Sequence, residues 1–308
     1  WLRDKYGDRL QVEVADVRDP HLLKDAVSGV QQIFHFAAQV AVTTSTQDPI
    51  TDFEVNLHGT LNLLDAIRRS KHPPFLVFTS TNKVYGTLDV LEASASRTRY
   101  YPLDATLLKH GIPETQPLEF CSPYGCSKGG ADQYVLDFAR TYSLPAVVLR
   151  MSCIYGPHQH GTEDQGWVAH FLIRSLEQEA ITLYGDGKQV RDILYVDDLV
   201  DAMLLCQTRM TQLSGRVFNI GGGTANAVSL IELLALIRKL RGKMPPVLLA
   251  PWRAGDQRYY VSDIRSFTDA TGWTPRTPID EGVPKLYHWL RRNTPSEPTV
   301  ASVRASAA

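Results

Sequence analysis

The chain has 308 residues, 44% of them hydrophobic and 21% charged, with 32 basic against 33 acidic residues and a net charge of −1. This composition is ordinary for a globular protein and excludes a disordered, collagen-like or coiled-coil chain. The balanced charge argues against nucleic acid or a membrane surface as a partner, and no apolar run approaches the ~18 residues of a membrane span.

Four cysteines are spread along the chain as Cys121, Cys126, Cys153 and Cys206. They show neither a paired C-x-x-C spacing nor a histidine at zinc-finger distance, so the sequence predicts reduced thiols and no metal site. Because reduced thiols are typical of the cytoplasm, we expect a cytoplasmic protein.

Short apolar segments alternate with amphipathic segments through the first half of the chain. The predicted strands are residues 10–14, 32–35, 75–80 and 146–150. The predicted helices are residues 20–27, 49–70 and 123–142. Such alternation indicates βαβ units, and hence a parallel sheet that is covered on both faces and binds ligands beyond the carboxyl ends of its strands.

The second half of the chain is less regular. Predicted helices at residues 168–179 and 197–208 flank a polar loop at residues 184–192, and a strand at residues 217–220 precedes a further helix. That helix begins at Ser229, which has the capping-box spacing to Glu232. The tail at residues 294–308 is rich in Ser, Pro and Ala, which predicts disorder.

A nucleotide-binding parallel fold needs a glycine-rich turn between a strand and a helix, where backbone amides reach a diphosphate. The best candidate, Asn219-Ile-Gly221-Gly222-Gly223, lacks the later glycine that lets the helix pack closely, and the next helix begins only at Ser229. We interpret this run as a loop that closes the site, with a phosphate cradle as the alternative.

Tyr124 and Lys128 have the i, i+4 spacing that places two side chains on one helix face. A phenol has a pKa of about 10, so it acts as a base near neutral pH only beside a positive charge, which Lys128 supplies. The alternative is an unrelated surface tyrosine and lysine.

Two further groups follow predicted strands. Thr81 lies in the run Phe78-Thr-Ser-Thr-Asn-Lys83, where its hydroxyl can share a proton with a reacting group, or else form a simple turn. The run from His35 to Gln39 ends another strand with small residues that permit close approach. His35 itself is expected to be a core histidine.

These groups, in this order, together with Asp16 and the run Asn56-Leu-His-Gly-Thr60, resemble the extended short-chain dehydrogenase/reductase family of NAD-dependent nucleotide-sugar epimerases and dehydratases. The resemblance covers about residues 10–290. It implies an α/β fold with a Rossmann-like, doubly wound parallel sheet and a smaller α/β C-terminal substrate domain. Residues 1–156 and about 192–223 would bind NAD, and residues 157–191 and 224–293 would bind a nucleotide-sugar.

The resemblance also implies roles for individual residues. Tyr124 would be the catalytic acid/base, Lys128 would hold the nicotinamide ribose and lower the pKa of Tyr124, and Thr81 would be the catalytic hydroxyl. The implied cofactor-binding residues are Asp16, Val17, Phe36, Ala37, Ala38, Gln39, Asn56, Ser80, Tyr124 and Lys128. The implied substrate-binding residues are Lys83, Gln165, Arg191 and Arg258, with the two arginines on the diphosphate.

Family members begin with a strand and a Gly-x-x-Gly-x-x-Gly turn, whereas only 15 residues precede Asp16 here. We therefore expect the first βα unit to be truncated, and the chain to lack the diphosphate cradle. The resemblance further implies a homo-oligomer, dimer or tetramer, because family dimers pair the helices that residues 49–70 and 123–142 form.

The residues after Thr81 narrow the expected reaction. Family dehydratases place Asp-Glu there, whereas this chain has Asn82 and Lys83, so we expect an epimerase. The runs at 164–168, 187–192 and 255–258 resemble a branch that inverts C2 of a CDP-linked deoxyhexose through a transient keto-sugar. The alternatives are a UDP- or CDP-hexose 4-epimerase, a dehydrogenase of the same fold, and a catalytically impaired fragment or scaffold.

Overall fold

The computed structural model describes residues 2–253 and 255–293, so the tail predicted to be disordered lies outside the described residues. The strands in chain order are β1 Gln32–His35, β2 Phe75–Thr81, β3 Ala93–Ala95, β4 Tyr100–Pro102, β5 Ala146–Met151, β6 Cys153–Tyr155, β7 Ile181–Tyr184, β8 Val190–Tyr195, β9 Val217–Ile220, β10 Ala227–Ser229, β11 Val247–Ala250 and β12 Tyr259–Tyr260. The helices are α1 Leu2–Tyr6, α2 Pro20–Ala26, α3 Val42–Gln47, α4 Pro49–Phe53, α5 Gly59–Arg69, α6 Ala105–His110, α7 Pro123–Thr141, α8 Trp167–Glu177, α9 Val196–Thr208, α10 Met210–Leu213, α11 Leu230–Arg241, α12 Arg265–Thr271 and α13 Ile279–Asn293.

The main sheet has four parallel strands in the order β1-β2-β5-β9. Alternate residues of β2 face opposite sides, and both sides are buried: Leu76 and Phe78 pack in a core with α5 and α7, and Phe75 and Val77 pack in a core with α9 and α12. A strand that is apolar on both faces is the pattern of a sheet covered on both sides. The predicted α/β class with a parallel sheet is confirmed.

The remaining strands form smaller sheets beside the main one. Strand β8 pairs with β10, β12 and β6, and β7 pairs with β11. A separate core of side chains from α8, α11 and α13 packs against this region. The predicted capping box is present, because the Ser229 hydroxyl accepts from the Glu232 amide while the Glu232 carboxylate accepts from the Ser229 amide.

Two predicted elements are wrong. Residues 10–14 form no strand, and Val14 is 98% exposed; no described strand pairs with the outer edge of β1, and an extended segment cannot be a strand without a hydrogen-bonding neighbour. The polar loop predicted at residues 184–192 is shorter than expected, because β8 begins at Val190 and includes Arg191 and Asp192. These two charged residues are buried and bonded to partners there.

The predicted helix at residues 49–70 is continuous but contains a π-helical turn, Glu54–His58, between α4 and α5. Single π turns commonly lie at functional sites, because the extra residue redirects a side chain. Here the turn contains Asn56, whose side chain is buried.

None of the described helices is long and apolar enough to cross a membrane. In residues 2–253 and 255–293 no cluster of three or more metal-binding side chains is present. The four cysteines are free thiols.

Candidate active site

A cavity of about 780 Å³ lies where strands β1, β2 and β5 end. Side chains that follow these three strands line one side of it, and residues from the loop before α8 and the segment before β12 line the other. The lining includes Phe36, Ala38, Thr79, Ser80, Thr81, Asn82, Lys83, Tyr124, Lys128, Cys153, Gln165, Arg191, Arg253 and Asp256. Ligand binding beyond the carboxyl ends of parallel strands is the location expected for this fold.

Helix α7 carries Tyr124 and Lys128 into the cavity. The Ser122 hydroxyl caps the helix by accepting from the Gly125 amide at 3.0 Å, and Pro123 occupies the first turn, where its missing N–H costs nothing. Both functional side chains are buried, and both line the cavity, as their i, i+4 spacing predicted.

Burial raises the pKa of Tyr124 to about 12, and the neighbouring Thr81 side chain opposes this shift. From the sequence we expected Lys128 to lower this pKa. The Lys128 ammonium instead donates to the Thr79 carbonyl oxygen at 2.7 Å. Burial lowers the pKa of Lys128 to about 8, while the carboxylates of Asp132 and Asp52 act in the opposite direction. Desolvation therefore dominates both groups.

Thr81 is the last residue of β2 and lies beside Tyr124 in the cavity. Its hydroxyl oxygen accepts from the Lys83 amide at 3.2 Å and thereby caps the short 3₁₀ turn Asn82–Tyr85. The hydroxyl donates to the Asn82 side-chain oxygen at 3.4 Å. Thr81, Tyr124 and Lys128 are thus brought together, as the sequence predicted.

Asn56 supports the loop after β1 rather than lining the cavity. Its side chain accepts from the Gln39 amide at 2.8 Å and donates to the Gln39 carbonyl at 3.0 Å. The Gln39 side chain donates to Asp52, which also accepts from the Ser127 hydroxyl. Gln39 and Asn56 therefore hold the backbone that presents Phe36 and Ala38 to the cavity.

Other predicted cofactor residues lie elsewhere. Asp16 is exposed outside the cavity lining, and its hydrogen bonds with Arg18 hold the pKa of its carboxyl at about 2. Val17 packs against Gly59, and Ala37 is exposed away from the cavity. Ser80 is at the cavity, but its hydroxyl donates to Asp132 at 2.7 Å.

His35 is a core histidine, as expected. It is buried, one ring nitrogen lies 3.1 Å from the Thr60 hydroxyl, and burial lowers its pKa to about 3. In the glycine run 221–223, the Gly223 amide donates to the buried carboxylate of Asp192 at 3.1 Å and is not available to a phosphate. Nor does this run line the large cavity.

The far side of the cavity carries the charged residues. Arg191 on β8 donates to Asp256 at 2.6 Å, and Lys83 lies 3.9 Å from the same carboxylate and donates to the Gly255 carbonyl at 3.3 Å. Burial lowers the pKa of Lys83, the nearby Arg191 lowers it further, and Asp256 opposes both. Gln165 lines the same region.

Arg258, predicted to bind the substrate, lies away from the other predicted substrate residues. Its side chain is exposed over the ring of Tyr100, 5.6 Å from the centroid, and is not among the described residues that line the cavity. Arg253 lines the cavity instead, 3.8 Å over the Tyr184 ring. It lies just beyond the carboxyl end of β11, so a predicted strand at residues 247–250 would have indicated it.

The described residues fit the nicotinamide end of NAD. Phe36 and Val40 are exposed apolar side chains in the cavity wall, suited to cover a flat ring, and Lys128 offers an ammonium to ribose hydroxyls. The sequence contains neither a Gly-x-x-Gly-x-x-Gly nor a Gly-x-Gly-x-x-Gly run.

Comparison with known proteins identifies the family. Residues 2–221 match the NAD dependent epimerase/dehydratase family. The chain belongs to this family. It is 42% identical to CDP-paratose 2-epimerase of Salmonella typhi over 261 residues, which cover 83% of this chain and 76% of that protein.

Solved structures agree in fold. The UDP-glucose 4-epimerase of Thermus thermophilus in complex with NAD is 31% identical, with a TM-score of 0.79 over 95% of this chain and 88% of that one. A dTDP-glucose 4,6-dehydratase from Streptomyces venezuelae with NAD bound is 28% identical, with a TM-score of 0.79 over 93% and 81%. The chain is thus an enzyme of the NAD-dependent nucleotide-sugar epimerase/dehydratase family, with NAD as cofactor.

Proposed function

We propose that the chain epimerises C2 of a CDP-linked deoxyhexose, converting CDP-paratose to CDP-tyvelose through a transient keto-sugar. The proposal is carried by the residues beside Thr81. Asn82 is a neutral amide bonded to Gln257, and Lys83 is a cation paired with Asp256, so neither supplies a carboxyl group of the pair that water elimination needs. The 42% identity to CDP-paratose 2-epimerase supports the choice of sugar.

NAD supplies reversible two-electron oxidation of the sugar carbon when it is bound. Tyr124 takes the proton of the sugar hydroxyl and returns it in the reverse step, and Thr81 shares that hydrogen bond. The Lys128 ammonium, which donates to the Thr79 carbonyl, is proposed to bind the ribose hydroxyls. Because burial raises the pKa of Tyr124 to about 12, the phenolate requires a positive charge that the bound cofactor brings beside it.

Arg191 and Arg253 are proposed to bind the two phosphates. Both guanidinium groups line the cavity, and both rest against carboxylates: Asp256 on Arg191, and Glu163 and Asp164 within 4 Å of Arg253. A planar guanidinium suits bidentate binding of phosphate, and a diphosphate would compete with these carboxylates for the two arginines.

The proposed reaction is tested by product stereochemistry. The 308-residue chain, with NAD in excess, is incubated separately with CDP-paratose and with UDP-glucose, and the products are analysed by NMR. Inversion at C2 of the CDP-sugar alone supports the proposal. Inversion at C4 would establish the 4-epimerase alternative, net oxidation a dehydrogenase, and absence of turnover with both sugars a non-catalytic role.

Arg253→Ala is expected to raise the KM for the nucleotide-sugar about 10- to 100-fold, the value of lost charge-assisted hydrogen bonds. Arg258→Ala removes the same charge from an exposed position outside the cavity and should leave KM within about twofold. Steady-state kinetics with the sugar that the wild type turns over measures both. A larger effect of Arg258→Ala would restore the assignment made from the sequence.

We also propose a homodimer formed through α4 and α7. These helices pack together, and they expose the apolar side chains of Ile50, Phe53 and Tyr134. An exposed apolar cluster on paired helices is typical of an interface. Sedimentation analysis should show a dimer for the wild type and a monomer for Phe53→Lys; a monomeric wild type would contradict this interface.

A further inference from the structure

The Thr81 hydroxyl lies at one end of a series of buried hydrogen bonds, which continues through the side chains of Asn82 and Gln257. The Asn82 side-chain nitrogen donates to the Gln257 side-chain oxygen at 3.3 Å, although 175 residues separate the two. The Gln257 nitrogen in turn donates to the Gly86 carbonyl at 2.6 Å. All three side chains are buried, Gln257 completely.

At the other end of this series of hydrogen bonds, the donor and the acceptor are fixed. A carbonyl oxygen only accepts, so the Gly86 carbonyl requires the Gln257 nitrogen, and the Gln257 oxygen must then face Asn82. The Asn82 nitrogen must donate to that oxygen, which leaves the Asn82 oxygen for Thr81. The Thr81 hydroxyl is thereby made the donor in its bond to Asn82.

The backbone conformation of Gly86 fixes the position of its carbonyl oxygen. Its φ of 71° lies in the left-handed region, and a Cβ there would lie 2.3 Å from the Glu119 carbonyl oxygen. Glycine alone fits such a position. The backbone therefore determines the orientation of the Gly86 carbonyl, and this carbonyl determines which atoms of Gln257 and Asn82 donate and which accept.

The remaining hydrogen-bonding capacity of Thr81 then faces its catalytic neighbour. A hydroxyl has one proton and two lone pairs, and one lone pair accepts from the Lys83 amide. The second lone pair is left for the Tyr124 phenol or the sugar hydroxyl.

We propose that Gln257 is a positioning residue that acts through Asn82 to orient the Thr81 hydroxyl beside Tyr124. Gln257 is absent from the cavity lining, so it touches neither sugar nor cofactor in this arrangement. The proposal rests on the proposed roles of Thr81 and Tyr124 in proton transfer. It does not depend on which sugar carbon is inverted.

Gln257→Met keeps the side-chain length but removes both hydrogen bonds. We expect kcat to fall about 10-fold, because misplaced catalytic groups cost at least this much, while KM stays within about twofold. In a Thr81→Val background the same change should have no further effect, because the hydroxyl that Gln257 orients is gone. An undiminished effect in that background would overturn the proposal in favour of a general structural role.

Thr271→Val is the matched control for lost stability. It removes a buried hydroxyl that bonds the Phe267 carbonyl and the Trp273 amide, remote from the cavity, so it should lower Tm without changing kcat. The kinetics use whichever nucleotide-sugar the wild type turns over, so failure of the C2 assignment leaves this test intact.

A structural measurement tests the proposal even where none of the sugars reacts. The neutron crystal structure of Gln257→Met, in which amide and hydroxyl protons are visible, should show the Asn82 amide turned and the Thr81 proton in more than one orientation, because nothing then imposes either orientation. Unchanged conformations of both residues would overturn the proposal.

Discussion

Tyr124→Phe is expected to lower kcat about 10²- to 10⁴-fold and to leave the fold intact. The change removes the only atom of that side chain that can carry the proton, while the ring keeps its buried packing. Because a sugar hydroxyl cannot lose its proton to a phenyl ring, oxidation and the return step both slow. Steady-state kinetics measures the loss, and circular dichroism verifies the fold.

Tyr142→Phe is the control for this variant. Tyr142 caps the far end of α7, is half exposed, and lies outside the cavity. The substitution makes the same chemical change and should leave kcat within about twofold. Near wild-type turnover of Tyr124→Phe would refute the assignment of Tyr124 as the acid/base.

Arg150→Met is expected to reduce the free energy of unfolding by about 3–5 kcal/mol. Arg150 makes two hydrogen bonds of 2.9 Å to Asp132, and both side chains are almost completely buried. The same guanidinium donates to the Tyr85 hydroxyl at 3.1 Å, and Tyr85 donates to Asn219 at 2.8 Å. Removing the cation leaves the Asp132 carboxylate buried without its counter-charge, which explains the large loss.

Arg69→Met is the matched comparison. Arg69 pairs with Asp65 on the exposed face of α5, where water screens the interaction, so the cost should be about 0–1 kcal/mol. Urea unfolding followed by circular dichroism measures both variants. A cost below about 1 kcal/mol for Arg150→Met would mean that Asp132 finds another partner or becomes protonated.

This buried pair also has a bearing on catalysis. Asp132 lies one turn after Lys128 on α7 and accepts from Ser80 on β2, while Arg150 lies on β5. The pair therefore ties the helix that carries Tyr124 to the strand that carries Thr81. Ser80, which was predicted to bind the cofactor, takes part in this link by donating to Asp132. This contact is visible only in the folded structure.

Local periodicity predicted the main sheet well. Strands β1, β2, β5 and β9 and helix α7 lie within one or two residues of the predicted bounds, because apolar alternation and caps such as Ser122 act over a few residues. Residues 10–14 show the limit of this reasoning. Their composition favours a strand, but a strand exists only where another strand accepts its hydrogen bonds.

The positions of the proposed catalytic residues were predictable for a similar reason. Tyr124 and Lys128 share a helix face by spacing, and Thr81 follows a buried strand, so chain-local geometry brings each to the carboxyl edge of the sheet. Arg253 and Arg258 were not distinguishable in this way. Five residues apart in an irregular segment, they differ only in which side chain turns towards the cavity.

The sequence alone determined the α/β class, the family and the Thr81, Tyr124 and Lys128 group, because those depend on period, spacing and residue chemistry. The tertiary structure decided which arginine enters the cavity, the raised pKa of Tyr124, and the partners of Asp132 and Gln257. Desolvation and hydrogen bonds between residues up to 175 positions apart arise only when the chain is folded.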